Sequence, residues 1–156
     1  MGSHPSTNFF EDWSVGNASH GAERYTMTES RMIDFACEFD PQDFHTDAEK
    51  AKSTVYGGLI ASGWHTGSAM MRLITEFLGE ASMGSPGLNE LRWLQPVVAG
   101  DELRLVMTPI EKRRSASKPD RGIITMQQEV FNQHDALVMS AVAVMLIKVR
   151  SPQTPG

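Results

Sequence analysis

Ala69-Met70-Met71-Arg72-Leu73-Ile74-Thr75-Glu76-Phe77-Leu78-Gly79 is the stretch from which the architecture follows. Its apolar residues Ala69, Met70, Leu73, Ile74, Phe77 and Leu78 recur at spacings of one, three and four, so a helix here turns one broad apolar face toward a core. Gly79 is its natural stop. Upstream, Gly57-Gly58 and Ser62-Gly63 punctuate the approach, and Ser62 suits the cap of the first turn. Downstream, Ser82 to Pro86 is a small-residue loop, after which the chain reads as strand.

Leu103, Leu105 and Met107 alternate with Arg104, Val106 and Thr108, and Ile124, Met126, Gln128 and Val130 alternate with Thr125, Gln127, Glu129 and Phe131. Asn132-Gln133-His134-Asp135 supplies a turn, and Leu137 to Val149 is apolar on both faces, which predicts a strand flanked on both sides. Working back from the helix, Arg24 to Thr28 reads as a short strand. Thr28 then caps a first helix that ends near Phe39, because Pro41 disfavours a helical conformation at Asp40. Asp40 to Asp47 is expected to be loop, followed by a polar helical turn from Asp47 to Ser53. One strand, helices, then about four long strands is an α+β order. A long curved antiparallel sheet wrapped around one central helix satisfies it, the hotdog arrangement.

The chain has 156 residues, enough for one core that needs neither disulfide nor metal. The single cysteine, Cys37, has no partner for an intramolecular disulfide and points to a reducing, cytoplasmic setting. A net charge of −5 argues against nucleic acid or an anionic membrane as partner, and the longest apolar run, Leu137 to Ile147, is short of the roughly 18 residues a membrane helix needs. The start lacks the basic and apolar regions of a signal peptide. Residues 1–10 are expected to be disordered or a cloning remnant, 11–149 to form the domain, and 150–156 to be a disordered tail.

The chemistry concentrates in Phe35-Ala36-Cys37-Glu38-Phe39-Asp40-Pro41-Gln42-Asp43-Phe44-His45-Thr46-Asp47 and, further on, Tyr56-Gly57-Gly58-Leu59-Ile60-Ala61-Ser62-Gly63-Trp64-His65. A carboxylate and an imidazole at the two ends of one turn can converge on a water and pass protons both ways near neutral pH. Spacing alone fits equally a helix-end Asp40 and an ordinary loop histidine at His45. His65 has no carboxylate or histidine at metal-ligand spacing, so no metal site is expected there.

This stretch resembles the MaoC-like dehydratase and (R)-specific enoyl-CoA hydratase family: Phe35-Ala36, Asp40, His45 and Asp47 fall on its pattern. Ala51, Gly57 to Gly63, Arg92-Trp93-Leu94-Gln95-Pro96-Val97 and Gly100-Asp101-Glu102-Leu103 continue the match in order. The resemblance implies a hotdog fold, a CoA-thioester substrate and no cofactor. It also implies Asp40 and His45 as catalytic pair and Gly63 as the backbone donor to the thioester carbonyl, at the N-terminus of the central helix. Ser62, Tyr56, Gly57 and Trp64 are the expected substrate contacts. The sequence departs from the family pattern at Gln42, Asp43, Phe39 and Ser62.

The implied reaction is reversible addition of water to the double bond of a trans-2-enoyl-CoA-type thioester. A thioesterase, which would use an acid on or near the central helix such as Glu76 or Glu80, and a non-catalytic acyl-thioester binder are the alternatives. The basic run Lys112 to Arg121 reads as a solvated hairpin connection, with CoA phosphates as the alternative contact. Asp43, two residues from His45, is expected either to act on the imidazole electrostatically or to face water. Exposed edges of long strands predict a homodimer or a dimer of dimers, with the ligand channel at the interface.

Overall fold

The computed structural model describes residues 8–152. The calls on residues 1–7 and 153–156 lie outside the described residues. Two short strands, β1 (Ser19–His20) and β2 (Tyr25–Thr26), lead into α1 (Glu29–Phe39), two single-turn helices, α2 (Asp43–Thr46) and α3 (Ala48–Ala51), and the long α4 (Gly63–Leu78). Four strands follow: β3 (Gly87–Trp93), β4 (Glu102–Arg114), β5 (Arg121–Phe131) and β6 (Leu137–Lys148). All pairings are antiparallel in the order β1-β4-β5-β6-β3, with β2 also on β4. Among the described residues no helix is long and apolar enough to cross a membrane.

The broad face read from the sequence is the one α4 buries. Ala69, Met70, Leu73, Ile74 and Leu78 pack with Leu103, Leu105, Met107, Ile124, Met126 and Met139 from the inner face of the sheet. Gly79 ends the helix at a φ of 56°, where a side chain would strain the backbone. β6 lies between β5 and β3, so both its edges are covered, while one face is buried and the other, with Val142, Val144 and Leu146, is partly exposed. In β4 the ladder shifts register between Pro109 and Glu111, because proline has no N–H for the ladder and the strand accommodates it with a bulge.

Three expectations need correction. Asp40 to Asp47 is not all loop: Pro41 stops α1, but the chain re-enters a helical turn at Asp43, with the His45 N–H donating to the Gln42 carbonyl at 2.8 Å. Phe9 and Phe10 belong to the domain, since Phe10 is buried against Gly122, where an added Cβ would overlap its ring. Arg150 is likewise anchored, its guanidinium 2.6 Å from Asp12. The basic run explains this anchoring. Lys112 Nζ donates to the carbonyls of Phe10 (3.0 Å) and Trp13 (2.7 Å), and Arg114 pairs with Glu11 at 3.2 Å. These cations tie down the segment Phe10 to Trp13, and Arg121 pairs with its neighbour Asp120.

Candidate active site

Asp40 is the C-cap residue of α1, and its N–H donates to the Ala36 carbonyl. His45 is in the last turn of α2. Two bonds fasten that turn to the strand-like segment ahead of α4: the Ile60 N–H donates to the Phe44 carbonyl at 3.0 Å, and His45 Nδ1 donates to the Ile60 carbonyl at 2.8 Å. A carbonyl only accepts, so Nδ1 carries the hydrogen and Nε2 is the atom free to exchange a proton. That Nε2 lies 3.3 Å from Asp40 Oδ2, with the two side chains 6% and 18% exposed.

The carboxylate has two further partners, both at positions where the sequence departs from the family pattern. Ser62 Oγ donates to Asp40 Oδ2 at 2.7 Å, and Gln42 Nε2 donates to Oδ1 at 2.7 Å. Burial pushes the Asp40 carboxyl upward, but the Ser62 and Gln42 hydrogen bonds and the neighbouring His45 outweigh it and hold the pKa below the ordinary carboxylate value. Asp40 is therefore held ionised. Ser62→Ala removes one donor, so the Asp40 carboxyl is expected to titrate at higher pH, read directly by an NMR titration of that carboxyl. Asp43 does not share this site. Its carboxylate is 61% exposed and 3.5 Å from Lys50, so Asp43→Asn, measured alongside, is expected to leave the Asp40 titration in place.

Ser62 also caps α4, accepting from the Trp64 N–H at 3.3 Å, and it is fully buried. It positions Asp40 and the helix start, the capping role expected of it. Gly63 follows as the first residue of α4, and its N–H has no hydrogen-bond partner among the described residues. Unpaired N–H groups and the positive end of the dipole meet at this point. Trp93 seals the other side, its Nε1 donating to the Gly63 carbonyl at 2.8 Å.

The remaining expected contacts scatter. Tyr56 rests on Phe44, which in turn packs edge-on against the His45 ring at 4.4 Å, so Tyr56 borders the site at one remove. Gly57 makes a positive-φ turn at 67°. Trp64 meets Trp93 edge-to-face at 5.0 Å and lines a cavity of about 350 Å³ between α4 and the sheet. Asp47 accepts from the N–H groups of Glu49 and Lys50 and is the cap of α3. His65 is buried, stacked on Phe35, and bonded through Nε2 to the Tyr25 hydroxyl at 3.0 Å. Burial, with Arg31 nearby, lowers its pKa and keeps it neutral. Glu76 pairs with Arg72 on the outside of α4, about 20 Å along the helix from Gly63. Among the described residues no three His, Cys, Asp or Glu side chains group as a metal would require.

The model of the MaoC like domain matches residues 13–130. The chain belongs to the MaoC-like family. The uncharacterized protein YdeM of Bacillus subtilis (strain 168) is 31% identical over 124 residues, 78% of this chain and 86% of that protein. Among solved structures, a MaoC-like dehydratase from Rhodospirillum rubrum superposes with a TM-score of 0.82 at 38% identity, covering 92% of this chain and 98% of that one. A Mycobacterium tuberculosis protein with a double hotdog fold superposes with a TM-score of 0.78 at 16% identity, covering 96% of this chain and 47% of that one. Helix α4 and its surrounding antiparallel sheet are thus a MaoC-like hotdog domain.

Serine and glutamine partners of the MaoC-like carboxylate were not foreseen. The sequence signal was present but weak: both are hydrogen-bond donors, Gln42 two residues after Asp40 and Ser62 immediately before Gly63.

Proposed function

We propose that this MaoC-like protein reversibly hydrates a trans-2-enoyl thioester, with Asp40 and His45 as the catalytic pair and the Gly63 N–H as oxyanion donor. The observation that carries the reading is the 3.3 Å approach of His45 Nε2 to an Asp40 carboxylate held ionised. With Nδ1 committed to Ile60, a neutral ring would bring two acceptors face to face. One water donating a hydrogen to each resolves this and leaves its lone pair aimed outward. Asp40, lowered in pKa, is the weaker base, so Nε2 takes the water's proton and the carboxylate steadies the imidazolium.

In the forward direction the water oxygen bonds to the β-carbon as one of its protons passes to Nε2. The π electrons move through the α-carbon onto the thioester oxygen, where the Gly63 N–H receives the developing charge. The α-carbon then takes a proton back from the pair, so one water is added and the enzyme is regenerated. Hydration of crotonyl-CoA, followed by loss of enoyl absorbance, tests the reading. Release of free thiol from crotonyl-CoA and butyryl-CoA alike would replace it with hydrolysis.

We also propose assembly as a homodimer or dimer of dimers. Trp64 and Met71 on α4 and Leu88 on the edge strand β3 line the cavity, and these three, Trp93 on β3 and Leu94 beyond it are all about half-exposed apolar side chains. Light scattering at micromolar concentration is expected to give at least twice the 17.2 kDa chain mass, and a monomeric mass overturns the assembly.

A further inference from the structure

The inner face of β5 is made by Gly122, Ile124, Met126, Gln128 and Val130. Gln128 is the polar exception and is 2% exposed. Its Nε2 is 3.5 Å from Met145 Sδ, while its Oε1 has no hydrogen-bond partner among the described residues. A thioether accepts weakly and does not donate, so the NH2 end of the amide belongs against Met145 and the carbonyl oxygen is the end left over. Gln128 and Met145 both line the cavity beside α4. Trp64 and Gly67 line it near Gly63, and Ile74 lines it further along, about 15 Å of helix from Trp64.

We propose that this cavity receives the acyl chain of the thioester and that Gln128 selects chains carrying a hydroxyl group. The hydroxyl donates to Oε1 and can accept from the second Nε2 hydrogen. The proposal rests on the thioester reading above for the identity of the ligand, and it narrows the substrate class to hydroxyl-substituted acyl thioesters. A plain hydrocarbon chain filling the cavity expels water and strands the buried carbonyl without a partner. Sites built to hydrogen-bond a hydroxyl reject the analogue that lacks it far more strongly than apolar pockets reject a change in size.

The test is equilibrium binding, followed through tryptophan fluorescence because Trp64 lines the cavity, of octanoyl-CoA and its 5-, 6-, 7- and 8-hydroxy derivatives. These saturated thioesters cannot be hydrated, so binding is read apart from turnover. At least one hydroxylated chain is expected to bind about tenfold more tightly than octanoyl-CoA, about 1.4 kcal/mol. Gln128→Leu and the better volume match Gln128→Met are expected to erase that preference, each with a thermal melt to confirm folding. Wild-type selectivity decides the matter even where one variant fails to fold. Equal or tighter binding of octanoyl-CoA than of every hydroxylated chain, a preference that survives in a folded variant, or no binding by any chain overturns the proposal. Failure to hydrate crotonyl-CoA, by contrast, removes the hydratase reading and leaves a measured hydroxyl preference standing.

Discussion

Asp40→Asn is expected to lower kcat for crotonyl-CoA hydration by about 10²–10⁴-fold in a protein that still folds, and His45→Ala by a similar factor. Asparagine keeps the size of the side chain but removes the charge that steadies an imidazolium at Nε2, 3.3 Å away. It also places an NH2 group among donors already directed at this position, the Ser62 hydroxyl and the Gln42 amide. Activity within a few-fold of wild type in either variant removes the proposed pair. Thermal melts against pH give a second, independent reading. Because the folded-state pKa of Asp40 is lowered, its contribution to stability is present above the unfolded carboxylate value and is lost as pH falls through the lowered one. The stability gap between wild type and Asp40→Asn is therefore expected to be widest near neutral pH and to close in acid.

Gly63→Ala should damage stability and rate together. A Cβ at Gly63 would stand 2.6 Å from Trp93 Cε2 and 2.8 Å from two more atoms of the same indole, whose Nε1 holds the Gly63 carbonyl. The ring must swing away and give up that bond, a strain of about 1–3 kcal/mol, or a fall in Tm of about 2–12 °C for a chain of this size. Alanine keeps the N–H, so the rate falls only as far as the donor is misdirected, with the loss of a well-placed oxyanion donor, about 10²–10³ in kcat, as the ceiling. Pairing the change with Trp93→Leu separates the two effects. The double variant is expected to recover Tm, because the methyl then has room, and to stay slow, because the indole that holds the Gly63 carbonyl, and with it the direction of the N–H, is gone. Recovery of both would make Gly63 a packing residue beneath Trp93 and nothing more.

What could be read from residues alone was whatever short-range periodicity and capping dictate. The face of α4, its stop at Gly79, the Thr28 cap and the end of α1 at Phe39 are local consequences of 3.6-residue spacing, left-handed glycine and a proline ring. Alternation likewise fixed the inward face of β5, Gln128 included. The Asp40 and His45 pair was legible only through its resemblance to a known pattern, since spacing left both side chains open to ordinary structural roles. Their approach depends on the Ile60 carbonyl, fifteen residues beyond His45, which orients the ring. Tertiary structure alone placed Ser62, twenty-two residues from Asp40, on its carboxylate, and Trp93, thirty residues from Gly63, on its carbonyl. It also drew the basic residues of β4 onto Phe10, Glu11 and Trp13, about a hundred residues earlier in the chain. Hydrogen bonds of this range have no periodicity to announce them: they exist because the sheet closes around α4 and brings distant donors and acceptors within reach, and those it buries must find a partner.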